Sequence, residues 1–273
     1  MRNATQRIAD AGWGALGIFL LAASWSWIHA AFGKFVLPSL GETAAALVRV
    51  LSNGATEAVG MTLFHAAGGA LAATVIGFIL GLFSGFVRPV GSMLHPVLTA
   101  ILGIPPVAWV VLAMLWFGPG GFSPLFTVMM ATMPIVFVAT THGVRARDAN
   151  LQEMAQVFRL PPQTRFFRIL LPGLLVYVAP ALSTVFALSW KVALTAELLG
   201  DGTGIGGRFA TARAFLDLPE AMAWIVLVVV FVLVTDGILL GGLRRWTQGH
   251  GGHSQILPNA AYSCPTIHGR ADA

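Results

Sequence analysis

Residues 59–86 read VGMTLFHAAGGALAATVIGFILGLFSGF, and this stretch indicates the fold class of the chain. It contains no Asp, Glu, Lys or Arg. It is longer than the about 20 apolar residues that a helix needs to cross the hydrocarbon core of a bilayer. Within lipid every backbone amide and carbonyl needs an internal partner, so such a segment has to be an α-helix. The stretch therefore predicts a transmembrane helix.

The composition of the whole chain agrees with a membrane location. Of its 273 residues, 56% are hydrophobic and 10% are charged, whereas a soluble domain carries about 25% charged residues. The formal net charge is +5, but the basic residues form no cluster with interleaved aromatics, so no nucleic-acid partner is expected. Cys264 is the single cysteine, which excludes an internal disulfide and a cysteine-based metal site. We expect membrane lipid as a partner and no bound metal.

Further apolar segments extend this prediction to an all-α integral membrane protein with about six transmembrane helices. The first segment is roughly twice as long as the apolar core of a signal peptide, so we interpret it as an uncleaved anchor. The spans are expected at residues 12–33, 59–86, 92–117, 122–144, 170–199 and 221–243. The chain then divides into an N-terminus (1–11), the first span with an outer amphipathic segment (12–58), a membrane core (59–246) and a tail (247–273) expected to be disordered.

The basic residues predict the direction of these spans. With a cytoplasmic N-terminus, eleven Lys and Arg residues fall in cytoplasmic segments and four in outer segments, while Lys191 lies within a span. This distribution satisfies the positive-inside rule, so both termini are predicted to be cytoplasmic. The cytoplasmic set is Arg2, Arg7, Arg88, Arg145, Arg147, Arg159, Arg165, Arg168, Arg244, Arg245 and Arg270, and the outer set is Lys34, Arg49, Arg208 and Arg213.

Small residues recur at every fourth position of the second span. Because each step of four advances about 40° beyond a full turn, the row winds slowly around one side of the helix. Such a row allows another helix to approach closely, either as a special contact or as ordinary packing within one subunit. The row comprises Gly69, Ala73, Gly77, Gly81 and Gly85.

The third span contains an interruption at Gly103-Ile104-Pro105-Pro106. Pro106 cannot donate to the helix ladder, and Pro105 disfavours the α conformation at Ile104. Gly103, Pro105 and Pro106 therefore predict a helix break, which inside a membrane has to be covered by protein or line a cavity.

No nucleotide-binding or catalytic motif is found in the sequence. A phosphate-binding P-loop needs Gly-Lys followed by Ser or Thr, whereas Gly33-Lys34 is followed by Phe35. The G-x-G-x-x-G match at 202–207 follows a membrane helix instead of a strand, which argues against a dinucleotide site. We interpret it as a glycine-rich turn that starts a short helix near 208–216. No catalytic residues and no cofactor of this chain are predicted.

The cytoplasmic loop at about 144–169 contains the most informative pattern. It predicts a short helix, a turn at Pro161-Pro162 and a second short helix that leads to Pro172. Met154, Val157 and Phe158 form an apolar strip on the first helix. Such a strip, rimmed by polar residues, indicates a docking surface if it faces water, or packing if the helix folds back on the bundle.

This loop resembles the EAA loop of ABC-importer permeases. Glu153 and Ala155 match its first motif, and Ile169-Leu170-Leu171-Pro172 matches its I-x-L-P end. Met154 replaces the first Ala, and Arg159 replaces the Gly of the family. Further similarity to the nitrate/sulfonate/taurine branch covers about 35–245 and includes Pro38-Ser39, 104–106, 115–118 and 190–197.

The resemblance implies a transport subunit within a larger assembly. Two permeases, expected to be a homodimer, would form the pathway for a small anion such as a sulfonate or nitrate. The permeases would lie in the inner membrane of a bacterium. Two cytoplasmic ATPases would bind ATP and Mg²⁺, and a periplasmic substrate-binding protein would deliver the substrate to the permeases. The residues implied to contact an ATPase are Glu153, Met154, Ala155, Val157, Phe158 and Arg159.

Polar residues on the fifth span suggest a pathway. Ser183, Thr184, Lys191 and Thr195 fall within a sector of roughly 120°, so Lys191 either attracts an anion or snorkels and pairs elsewhere. Glu197 lies six positions from Lys191, which is not the spacing of a helical ion pair.

Two other classes of protein remain open from the sequence. A self-sufficient secondary transporter or channel would need ion-coupling sites, and few carboxylates lie within the spans. A membrane enzyme would need a nucleophile and a base, and no such arrangement is found in the sequence.

Overall fold

The computed structural model describes residues 4–34, 36–147, 149–200 and 203–250, and these residues form helices without a β-strand. The predicted disordered tail lies outside the described residues from 251 onward. The first residues of that tail, 247–250, are helical and continue the last helix. The elements are α1 (Ala4–Phe32), α2 (Leu40–Ser52), α3 (Ala55–Phe86), α4 (Arg88–Gly103), α5 (Pro106–Phe117), α6 (Phe122–Arg145), α7 (Ala149–Val157), α8 (Pro162–Arg165), a π-helical turn (Phe166–Leu170), α9 (Leu171–Gly200), α10 (Gly204–Ala214) and α11 (Leu218–His250).

The described helices include several that are long and apolar enough to cross a bilayer. Four such stretches lie in α3, α6, α9 and α11, and α4 with α5 would make a fifth. In α1 the shorter segment Phe19–Phe32 is apolar. The predicted all-helical membrane fold is therefore confirmed, while the count of six spans stays a prediction.

The third predicted span differs from a kinked helix. α4 ends at Gly103, α5 begins at Pro106, and the two axes differ by 97°. Ile104 and Pro105 are both extended, with ψ of 125° and 141°. Two consecutive extended residues turn the chain much further than a single missing hydrogen bond would, which explains the near right angle. The residues of the break are exposed in the single chain.

The centre of the bundle is the contact between α3 and α6. A Cβ atom added at Gly77 would lie 2.7 Å from the Met133 carbonyl oxygen, and one added at Gly81 would lie 2.6 Å from Thr140 Cβ. These distances leave no room for a side chain, so α3 and α6 approach at the backbone. The row of small residues thus packs within one subunit, which resolves the alternative left open by the sequence.

The outer helix α2 is fixed by its first turn and by one buried face. The Ser39 amide donates to the Glu42 carboxylate at 3.0 Å, and the Glu42 amide donates to the Ser39 hydroxyl at 3.2 Å. The first of these bonds, together with the Ser39 side chain, lowers the pKa of Glu42. Ala46 and Val50 pack in one cluster with Trp224 of α11. α2 therefore packs on protein with one face, and its opposite face, which includes Val48 and Leu51, is exposed in the single chain.

Candidate functional sites

The loop at about 144–169, called the coupling loop below, exposes the apolar strip on the side away from the bundle. Val157 is 78% exposed, Phe158 is 71% exposed and Met154 is 46% exposed, whereas Ala155 on the same helix is 1% exposed. α7 thus packs one side on the bundle and leaves the other side free in the single chain. Glu153 and Arg159 are also exposed. Ala155 is the member of the predicted ATPase-contact set that the structure buries, so its side chain packs α7 against the rest of the protein.

The turn after α7 preserves a glycine-type conformation without glycine. Arg159 has a φ of 49°, in the left-handed region. The Leu160 amide donates to the Ala155 carbonyl, and the Arg159 amide donates to the Gln156 carbonyl, both at 3.0 Å. This is the hydrogen-bond pattern of a Schellman C-cap, in which glycine is the usual left-handed residue. The replacement by arginine therefore keeps the bend and adds an exposed charge beside Phe158.

Arg159→Gly is expected to strengthen this turn, because glycine avoids the about 1–2 kcal/mol that a left-handed conformation costs other residues. Hydrogen exchange of the Leu160 amide in the detergent-solubilised protein should become slower. Arg168→Gly is the matched control, since glycine in a helical segment should accelerate local exchange. Faster exchange in Arg159→Gly would mean that the arginine side chain itself holds the turn.

The polar residues of the predicted pathway lie on one helix, and their hydroxyls bond to the backbone of that helix. The hydroxyls of Ser183, Thr184 and Thr195 each donate to the carbonyl four residues earlier, at 3.2, 3.1 and 2.8 Å. Lys191 and Thr184 are exposed in the single chain. This part of α9 is therefore available to lipid, to a second subunit or to a pathway between subunits.

A buried polar network joins α3 to α9 and was not predicted from the sequence. Thr62 donates to Oε2 of Glu197 at 2.8 Å, and Nδ1 of His65 lies 2.8 Å from Oε1 of the same carboxylate. All three side chains are completely buried. His65 and Glu197 lie 132 positions apart, so no helical spacing connects them. The usable signal was that each is an ionisable residue within an apolar helix.

The same carboxylate positions the start of α10. The Gly206 amide donates to Glu197 Oε2 at 3.1 Å, and the Ile205 amide donates to the Thr62 hydroxyl at 2.9 Å. The first amides of a helix lack internal partners, and a negative group is favourable there. A Cβ atom at Gly204 would lie 2.4 Å from the Glu197 side chain. Gly204 and Gly206 therefore allow close packing around Glu197. Both lie in the first turn of α10, so the short helix begins at Gly204 and not near the predicted residue 208.

These features define a class: an all-helical, multi-pass membrane protein with an exposed apolar helix suited to docking a separate partner. A family model described as "Binding-protein-dependent transport system inner membrane component" matches residues 73–248. The chain belongs to this family. It is the permease subunit of an ATP-driven importer, in which the ATPase is a separate chain, and it is a multi-pass protein of the inner membrane.

Individual relatives place the chain in the predicted branch. It is 26% identical over 195 residues to the putative aliphatic sulfonates transport permease protein SsuC of Bacillus subtilis, covering 70% of this chain and 71% of the relative. It is 29% identical over 159 residues to the nitrate import permease protein NrtB of Synechocystis, covering 56% and 58%. The fold also matches a chain of the inward-facing MetNI methionine ABC transporter, with a TM-score of 0.58, 14% identity and coverage of 74% and 96%.

Proposed function

We propose that two copies of this chain form a translocation pathway for a small anion, powered by two cytoplasmic ATPases that bind ATP and Mg²⁺. A periplasmic substrate-binding protein would deliver the anion. The observation that carries this proposal is the exposed strip of Met154, Val157 and Phe158 on a loop that otherwise packs on the bundle. Co-expression with the cognate ATPase should yield a stoichiometric complex. A secondary transporter or channel would purify without one.

The anion is proposed from two observations. The relatives named above are described as permeases for sulfonates and nitrate, and Lys191 is an exposed cation on a membrane helix of this chain. A second copy facing α9 would enclose Lys191 between the subunits, where a positive charge attracts an anion more strongly than in water. The particular anion would be identified from the cognate binding protein.

Lys191→Met is expected to reduce anion uptake at subsaturating concentration by about tenfold, the equivalent of a lost interaction of about 1.4 kcal/mol. Assembly with the ATPase and basal ATP hydrolysis should remain normal, because the residue is exposed in the single chain. Lys191→Arg preserves the charge and serves as the control. Uptake kinetics equal to those of the unmodified protein would assign Lys191 to contact with lipid or with a neighbouring helix.

The orientation of the chain is proposed with both termini cytoplasmic. Ala55 and Ala58 at the start of α3 pack in one cluster with α2 and α10, whereas Phe86 at its end lines a cavity beside the coupling loop. Ser52, at the end of α2, and Thr164, in α8, therefore lie near opposite ends of α3. If α3 spans the membrane, the two residues are on opposite sides of it.

In a Cys264→Ser background, single cysteines at Ser52 and Thr203 are expected to react with an impermeant maleimide in intact cells. A cysteine at Thr164 should react only after permeabilisation, because the coupling loop would face the cytoplasm. Labelling of Thr164 in intact cells would contradict the proposed orientation.

A further inference from the structure

A cavity of about 510 Å³ lies where the coupling loop meets the ends of α3, α6 and α9. Its volume is within the range of about 300–1,000 Å³ that small-molecule sites occupy. Arg147 and Arg165 line it together with Phe166, Gly173, Val176 and Tyr177. The cavity lies between the loop and the bundle, and the residues of the exposed apolar strip do not line it.

The cavity has a charged part and an apolar part. Arg147 follows the end of α6 and Arg165 ends α8, so both belong to the loop. Gly173, Val176 and Tyr177 belong to the first two turns of α9, which extend about 9 Å beyond its first residue. Because α9 contributes no charge to the lining, a ligand that fills the cavity would combine an anionic group near the loop with an apolar part along α9.

The two guanidinium groups are available to an anion. Arg147 lies over the Phe86 ring, 4.7 Å from its centroid, and its Nε donates to the Val144 carbonyl. Arg165 is half-buried. Within the part of the chain that the structure describes, neither group forms an ion pair with a carboxylate. A phosphate matches guanidinium donors well.

We infer that the cavity binds an anionic phospholipid, with the phosphate on Arg147 and Arg165 and an acyl chain along Val176 and Tyr177. Basic pockets between membrane helices are suited to lipid headgroups, and each basic residue near a membrane surface contributes attraction to anionic lipid. A free phosphate would leave the apolar part of the cavity empty. Charge complementarity and the apolar depth together favour the lipid over a second copy of this chain.

The position of the cavity connects the lipid with coupling. Leu151 and Ala155 of α7 form part of its wall, whereas Met154, Val157 and Phe158 do not line it. A bound lipid would support the coupling helix against the bundle while leaving Val157 and Phe158 free. The site goes beyond the proposed transport function, because lipid binding is measurable without substrate, ATP or uptake.

The experiment measures lipid retained by the full chain after extraction from nanodiscs with equal phosphatidylglycerol and phosphatidylcholine, by native mass spectrometry. Arg147→Gln and Arg165→Gln should each reduce phosphatidylglycerol retention about fivefold. Arg168→Gln is the matched control, because Arg168 lies on the adjacent turn and does not line the cavity.

Gly173→Leu distinguishes a phospholipid in the cavity from a free anion. A Cβ atom at Gly173 has no heavy atom within 4 Å, so leucine should fill the cavity without a clash and displace the acyl chain while both arginines remain. Loss of phosphatidylglycerol in this variant as well as in the arginine variants supports the proposal. Retention in Gly173→Leu, or displacement by millimolar inorganic phosphate, would indicate a free-anion site and overturn it. Equal retention in all variants, or loss of the permease dimer in Gly173→Leu alone, would also overturn it.

Discussion

Glu197→Ala is expected to destabilise the membrane domain more than any other single substitution considered. The carboxylate partners Thr62, His65 and the Gly206 amide inside the bundle. Its removal leaves three buried polar groups unsatisfied, each at a cost of about 1–3 kcal/mol, so a loss of about 3 kcal/mol or more is expected. The start of α10 should loosen from α9, because the Gly206 amide loses its acceptor and the Thr62 hydroxyl, which accepts from the Ile205 amide, loses its own partner. The measurement is thermal unfolding in detergent, followed by size-exclusion chromatography.

Two controls define that result. Glu197→Gln retains the volume and one acceptor oxygen and should be milder. Glu57→Ala removes an exposed carboxylate from the first turn of α3, where a favourable helix-end charge contributes about 0.3–1 kcal/mol. If Glu197→Ala melted at the same temperature as Glu57→Ala, the network would not hold α10 in place.

Phe158→Ala is expected to weaken association with the ATPase about a hundredfold, which corresponds to about 2.8 kcal/mol. Phe158 is the largest side chain of the exposed strip, and buried aromatic anchors of interfaces commonly contribute 2 kcal/mol or more. The bundle should remain folded, because the side chain is exposed in the single chain. Detergent pull-down of the ATPase at several concentrations, beside uptake into vesicles, measures the effect.

Phe215→Ala provides the control for this interface. Phe215 is also exposed, at the C-cap of α10. α10 packs with α2 at the start of α3, whereas the coupling loop lies near the opposite end of that helix. The Phe215→Ala variant should bind the ATPase with normal affinity. Equal binding and equal uptake for Phe158→Ala and Phe215→Ala would place the coupling surface elsewhere.

The sequence predicted the features that depend on local periodicity. The apolar length of 59–86 is sufficient for a spanning helix, and α3 contains that segment. The spacing of Met154, Val157 and Phe158 predicts a shared face, and the structure leaves that face exposed. Ala155 belonged to the predicted ATPase contacts only through the family resemblance, and the structure buries it. A motif match therefore did not distinguish the docking face from the supporting face.

The features that were missed depend on contacts between distant segments. The small-residue row of α3 indicated a close approach but not its partner, which is α6 of the same chain. The Gly103–Pro106 sequence indicated a break but not its angle, because the angle follows from the extended conformation of two successive residues. The Glu197 network needs α3, α9 and α10 to be assembled before His65 and Glu197 become neighbours. Such tertiary contacts have no period along the chain.

The central claim is that this chain moves its substrate only when a separate ATPase acts on it. The direct test is uptake of radiolabelled sulfonate or nitrate into proteoliposomes that contain the chain, its cognate ATPase and the cognate binding protein. We predict uptake that requires all three proteins, ATP and Mg²⁺, and that is lost when Phe158→Ala replaces the unmodified chain. Uptake by the chain alone, driven by an ion gradient without ATPase or ATP, would contradict the account.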